Sequence, residues 1–428
     1  MILIKEDFLH YLWKYKLFNF SKLKSANDEN IQIINVGMHN RNSGPDFFNA
    51  QIIIEEQLWA GNVEIHIKSS DWYVHKHEKN NDYDNVILHV VWDNDMPIFR
   101  RNNSQVTVLI LSNYVNENFI LNYRKLFSQK QVWIHCENGI HNTNNFLWKH
   151  WKEQLYVERL HQKSTQIVDF LDASKNDWEA VLFKLLAKNF GLKVNQGAFM
   201  NMANSFNFSI VRKNRNNITQ LEALFFGQSG MLEKEIQDNY YQNLQKEYQF
   251  LQVKYKIFPI YSNEVKFFRL RPNNFPTIRI SQLVMLYVTH QNLFSKLMSI
   301  DTINDYYDLL CVSTSKYWET HFTFTNLSVK RKKPITKSFV DLLLINTIIP
   351  LKFVYQKSLG KLDEEKIIQL MLQLKPEKNA IIEKFNMLEV KSDNALETQA
   401  LLQLKKEYCV RQKCLQCAIG NDLLRAIK

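Results

Sequence analysis

Glycine and proline are scarce, at 10 and 8 residues in a chain of 428, well below averages of roughly 7% and 5%. That scarcity excludes collagenous and Gly-rich linker architectures. It also leaves no phosphate-cradling loop: neither G-x-G-x-x-G nor G-x4-G-K-S/T occurs, and no G-x-S-x-G marks a serine nucleophile. Cysteine is sparse and odd in number, five in all, which argues against a secreted disulfide framework. No window offers about 18 uncharged apolar residues. The nearest, 339–355, contains Asp341, Asn346, Pro350 and Lys352 and reads as a buried helix. Lys5, Glu6 and Asp7 interrupt the stretch where a signal peptide would be apolar, so a cytoplasmic protein without membrane attachment is expected.

What is present is core material. Hydrophobic residues make up 45% of the chain and aromatics 13%, enough to offset ordering entropy, and the length suggests two or three domains. Residues 1 to about 135 carry strand-length β-branched runs, such as Ile31–Val36, Ala50–Ile54, Val63–Ile67, Val86–Val91 and Val106–Ile110, separated by Asn, Asp and Gly. An amphipathic helix, about Glu6 to Phe18, precedes them, with Phe8, Leu9, Leu12, Trp13 and Leu17 on one face. From about Asn145 the period becomes helical, as in Trp178–Phe190, stopped by Gly191. The pattern predicts an α/β (α+β) domain over 1–140 and a larger, mostly α-helical region over 141–428.

Charge divides the same way. Residues 1–145 hold 14 Lys+Arg and 16 Asp+Glu, a net of −2, while the remainder of the totals of 54 and 43 is 40 against 27, a net of +13. An acidic partner such as nucleic acid would therefore be held by the helical part. Arg269, Arg271 and Arg279 are the expected phosphate contacts, although Pro272 and Pro276 beside them also suit a structural loop.

Residues 39–89 contain five of the twelve histidines, His39, His66, His75, His77 and His89, together with Asp46, Glu64 and Asp71. Strands 47–54 and 58–68, joined through Glu55–Glu56–Gln57, would pair residues whose numbers sum to about 112. Asp46 then faces His66, Phe48 faces Glu64, and period 2 puts Asp46, Glu64 and His66 on one face. Paired carboxylates suit a hard divalent cation, Mg²⁺ or Mn²⁺, which activates water and neutralises phosphodiester charge. His66 would orient or deprotonate that water. A plain turn and a solvated strand face is the competing reading of the same spacing.

The order Gly44–Pro45–Asp46–Phe47, Asn49–Ala50, Val63–Glu64–Ile65–His66, Ser70–Asp71–Trp72, His75–x–His77 and Leu88–His89–Val90–Val91 resembles the bacterial domain-of-unknown-function family 2851. The likeness continues through Leu221–Gly227, Arg269–Arg279 and Tyr408–Gly420, nearly the whole chain. Pro45–Asp46 followed by Glu64–Ile65–His66 is also similar to the PD-(D/E)XK nuclease signature. That similarity implies a nuclease-like mixed sheet, with Asp46 and Glu64 as metal ligands and His66 where a lysine is usual. It further implies that Glu6 matches an acidic residue some members carry on their first helix. Imidazole in place of lysine is a departure, because it is neutral near pH 7 unless perturbed. Lys68, on the same expected face, would supply the cation instead.

His75 and His77, two apart on an expected strand face, would make a zinc site with His66 or His89. His89, inside an apolar run, reads better as a hydrogen-bonded core histidine, and Trp72 as packing. Near the C-terminus, Cys409, Cys414 and Cys417 have the C-x4-C-x2-C spacing of a zinc or iron–sulfur ligand set. Cys136 is the expected distant fourth ligand, ahead of Cys311. Three reduced thiols on a helical tail is the alternative.

The expectation for function is a metal-dependent nuclease. A non-catalytic nucleic-acid-binding or scaffold protein on a decayed nuclease fold is the alternative. A zinc-dependent hydrolase using His66, His75 and His77 is a third.

Overall fold

The computed structural model describes residues 4–128, 132–259 and 265–426. It divides into two compact units, one of residues 1–151, 387–390 and 404–428, the other of 152–386 and 391–403. The last 25 residues, placed by sequence at the end of the helical region, therefore belong with the α/β unit.

The first unit opens with α1 (Glu6–Lys14), whose Phe8, Leu9, Tyr11, Leu12 and Trp13 are buried. Strands β1 (Leu23–Lys24), β2 (Asn30–Asn35), β3 (Met38–His39), β4 (Phe47–Ile54) and β5 (Gln57–Lys68) follow. The short helix α2 (Asp71–Val74) leads to β6 (Val86–Asp93), β7 (Val108–Ile110) and α3 (Glu117–Phe127). The strands form one mixed sheet in the order β1-β2-β4-β5-β6-β7, with β3 paired to β4. The pairs from β1 to β5 are antiparallel, whereas β5-β6 and β6-β7 are parallel.

One sheet face presents Val63, Ile65, Leu88 and Val90 to a core shared with α1 and with Tyr123 and Leu126 of α3. The other carries Val86 and Val91 against Trp72, Tyr83 and Ile98. Trp72 is fully buried and its indole donates to the Phe99 carbonyl, so it is a packing residue. The C-terminal helix Ala418–Arg425 returns to this unit. Leu424 joins the first core, and Asn122 donates to the carbonyls of Leu424 and Ala426.

The second unit is built from helices. Trp178–Phe190, Ile218–Gln228 and Pro276–Thr289 bring Phe183 within 5.4 Å of both Phe225 and Tyr287, ring to ring. Lys337–Ser358 is long and apolar enough to cross a membrane, but 72% of its apolar window is buried inside the fold. Pro350 lacks the N–H that would bond the Asn346 carbonyl, and the residues before it, Leu344–Ile348, widen into a π turn.

Glu222 is the buried acid of this unit. Its carboxylate accepts hydrogen bonds from Tyr240, Ser281 and Ser315. Burial raises its pKa against the opposing effect of those donors. A carboxyl held above its unfolded value keeps a proton that the unfolded chain releases, so stability falls as pH rises from about 4.5 through the raised pKa. Glu222→Gln is expected to remove that loss. In chemical denaturation at a series of pH values, the variant gains on the wild type by up to about 1.4 kcal/mol per pH unit across this window.

Candidate functional site

The β4–β5 hairpin brings the two acids together by a route that the sequence conceals. Its loop is only Glu55–Glu56, with Glu55 at φ 53, so Ile54 pairs with Gln57 and the partners sum to 111 rather than 112. Continued unchanged, that register would turn Asp46 and Glu64 to opposite faces. A bulge in β4 prevents this. Ala50 pairs with Gly61 but Phe47 pairs with Val63, the extra residue being taken up around Asn49, which sits at φ 57. Asp46 consequently lies beside Glu64, not opposite His66 as the simple hairpin requires. The Asp46 N–H donates to Glu64 Oε2 at 3.1 Å, and the Ile65 N–H donates to Asp46 Oδ2 at 2.9 Å.

Imidazoles surround this pair. His66, two residues along β5, places Nε2 3.4 Å from Glu64 Oε1, and His77 Nε2 is 3.2 Å from the same oxygen. His66 Nδ1 lies 2.9 Å from His89 Nε2 on β6, and His66 Nε2 lies 3.0 Å from His75 Nδ1. His89 is thus a buried histidine with an internal partner, and that partner is a site residue. His75 and His77 are not on a strand. His75 follows α2, Lys76 takes a left-handed φ of 60, and His77 opens a short helical turn, which swings both rings toward His66. Tyr83 stacks on His77 at 3.7 Å and fixes that ring.

From α1, His10 Nε2 reaches Asp46 Oδ2 at 3.2 Å and Glu6 Oε1 at 3.7 Å. His10 is absent from the sequence-based set, although its position one turn after Glu6 was the available signal. Two donor sets among the described residues, His66/His75/His77 and Glu6/His10/Asp46, each hold their ligand atoms within 4.8 Å of one another. Of the first set His75 is exposed while His66 and His77 are buried, so this cluster opens to solvent through His75.

Lys68 and Asp71 play other parts. The Lys68 side chain is exposed, and the Lys68 backbone N–H donates to Asp71 Oδ2 at 2.9 Å. No ion pair joins Lys68 to Asp46 or Glu64 among the described residues. His39 stacks on Phe47 at 4.9 Å and stands beside His10.

The electrostatics follow from burial. Burial and the adjacent Asp46 push Glu64 up to about 9. Burial, then the charges of His77 and His75, holds His66 down to about 3, and burial lowers His77 and His89 as well. Burial and nearby Asp46 raise Glu6, against the pull of His10. For His10 burial opposes the charged ring, but the hydrogen bond to Asp46 and the charges of Asp46 and Glu6 carry its pKa upward.

The arginines separate. In the helical unit Arg279 is buried, with its guanidinium donating to Gln282 Oε1 at 2.8 Å and Asn274 Oδ1 at 2.7 Å and lying 3.5 Å over Phe339. Burial lowers its pKa to about 10. Its partners are amides and an aromatic ring, so the buried ion pairs of a structural loop are not what holds it. Arg271, Arg279, Arg331, Lys332 and Lys333 line one pocket. Arg269 is exposed, at φ 62, and lies outside that lining.

The fold and site define a mixed α/β unit with a carboxylate–imidazole cluster on its central hairpin, joined in sequence to a helical unit with a basic pocket. The chain belongs to the family described as a protein of unknown function (DUF2851), which matches residues 6–380. The match covers the acidic pair, the histidines and the basic pocket, and stops before the three C-terminal cysteines. No curated protein and no solved structure matches the chain.

Proposed function

We propose that the chain is a metal-dependent phosphodiesterase acting on nucleic acid, with Asp46 and Glu64 as the acidic pair of a PD-(D/E)XK-like sheet. The observation that carries this reading is the meeting of the two carboxylates, each fixed by a backbone N–H of the other strand. Three antiparallel strands followed by a parallel one form the kind of mixed sheet that the signature implies. The Asp46 charge is near enough to raise the pKa of Glu64, and a proton or a cation offsets that repulsion. The donors around them fit a divalent ion, since His10 Nε2 stands 3.2 Å from an oxygen of Asp46 and His77 Nε2 stands 3.2 Å from one of Glu64. A bound Mn²⁺ or Mg²⁺ would polarise the phosphodiester and lower the pKa of water, and the imidazoles favour Mn²⁺.

The protein's own contribution is orientation and exclusion of water. The Ile65 N–H aims Asp46, Tyr83 holds His77, and His89 is the positioning residue for His66. A neutral His66 that donates Nδ1–H to His89 keeps Nε2 turned to Glu64. His89→Leu is therefore expected to weaken Mn²⁺ binding about 10- to 100-fold in a calorimetric titration, with an unchanged circular dichroism spectrum. The pocket lined by Arg271, Arg331 and Lys332, with Arg279 and Lys333 held by internal hydrogen bonds in its wall, supports a phosphate-binding role for the helical unit.

A second reading, a zinc-dependent hydrolase, is favoured by one observation: the donors of His66, His75 and His77 converge within 4.8 Å. Incubating wild type and Asp46→Ala with single- and double-stranded DNA and RNA, under Mg²⁺, Mn²⁺, Zn²⁺ or chelator, separates the readings. Cleavage that needs Mn²⁺ or Mg²⁺ and Asp46 supports the nuclease. Salt-dependent binding without cleavage under any metal overturns it in favour of a non-catalytic binding module.

A further inference from the structure

We infer that Cys136, Cys409, Cys414 and Cys417 hold a four-iron iron–sulfur cluster that ties the C-terminal segment to the α/β unit. This site is separate from the acidic pair and does not depend on the function proposed for it. Four of the five cysteines, one of them far from the rest in sequence, line a single pocket with Ile140, Leu404, Tyr408 and Ile419. None is in a disulfide, and the fifth, Cys311, is exposed in the helical unit. A largely apolar wall, interrupted by His135, around four convergent sulfurs is the setting of a buried cluster.

The surroundings of the sulfurs point the same way. Cys417 is buried, and the backbone N–H groups of Ile419 and Gly420 are directed at its sulfur. The Trp151 indole N–H, close to the same atom, is buried and makes no hydrogen bond. Two backbone N–H groups at one sulfur, with an unpartnered indole N–H beside it, suit a thiolate ligand, because a neutral thiol is a weak acceptor. Gly420 is required by the close approach of this loop: a Cβ there would lie 2.1 Å from the Cys414 carbonyl oxygen.

Spacing discriminates between metals. A tetrahedral zinc–thiolate site with bonds of about 2.3 Å draws its sulfurs to about 3.8 Å apart. Among the described residues no three of these sulfurs all lie within 4.8 Å of one another, a looser set than such a zinc site. In a four-iron cluster each cysteine binds a different iron, so the thiolates are spread around an inorganic core. Assembly from equal amounts of ferrous and ferric iron with inorganic sulfide releases each thiol proton to solvent as its sulfur–iron bond forms, and no electron is gained or lost.

The test is metal and sulfide analysis of the full chain purified without oxygen, before and after incubation with iron and sulfide. The expected result is about four iron and four acid-labile sulfide per chain with broad visible absorbance. Cys136→Ser and Cys414→Ser are expected to lose most of the iron, while Cys311→Ser and Asp46→Ala retain it. About one zinc per chain, no bound metal, or iron undiminished in both cysteine variants would overturn the assignment. The wild-type stoichiometry decides the matter even if a cysteine variant does not fold. Retention in Asp46→Ala keeps this result distinct from any failure of the nuclease reading.

Discussion

Glu64→Gln is expected to lower metal-dependent cleavage by about 10³-fold or more and to leave the fold intact. Glutamine has the shape of the carboxylate and can still accept the Asp46 N–H that Glu64 Oε2 accepts at 3.1 Å. What it removes is the ability of this carboxyl to ionise and bind a cation. Burial already disfavours the ionised form of Glu64, so a neutral amide at this position costs the fold little. Chemistry and stability therefore separate at this one position. Denaturation midpoints of variant and wild type should agree closely, while initial cleavage rates with Mn²⁺ collapse. Equal rates would show that Glu64 is not part of the reacting site.

The second large effect is on stability. Phe8→Ala is expected to cost about 3–5 kcal/mol. Phe8 is fully buried, its ring stacks on Tyr123 at 4.1 Å, and it lies 6.5 Å from Trp92. Truncation leaves a cavity where α1 meets the sheet and α3, and well-packed cores relax only partly into such space. The same helix carries Glu6 and His10, which meet Asp46. The urea midpoint should therefore fall without a change in slope, and activity measured on folded protein should fall as well. A loss below about 1 kcal/mol would mean that α1 is not anchored through this ring.

Much of the α/β unit was legible because its signals are local. Alternating β-branched runs mark β2, β4, β5 and β6, and the apolar stripe of Phe8, Leu9, Leu12 and Trp13 marks α1. The bulge at Asn49 was not legible. A left-handed residue in a strand leaves no periodic trace, yet it decides which residue stands beside Glu64. His75 and His77 read as a strand pair because i, i+2 spacing does not reveal the left-handed turn at Lys76 between them. His10 escaped notice because a lone polar residue on an amphipathic helix looks like surface until the third element, Asp46, is in place. Arg279 shows the reverse. Its charge suggested a phosphate contact, and the fold buries it against Phe339 while still lining the basic pocket. The cysteine spacing was readable, but the return of residues 404–428 to the first unit is a long-range event that no local pattern encodes.

The central claim is that Asp46 and Glu64 share one divalent cation. The most direct test is anomalous scattering from crystals of the full chain soaked in Mn²⁺. The account predicts a peak about 2.0–2.5 Å from oxygens of both carboxylates, present in wild type and lost in Asp46→Ala. A peak confined to the histidines or to the cysteines, or no peak with both carboxylates ordered, would contradict it.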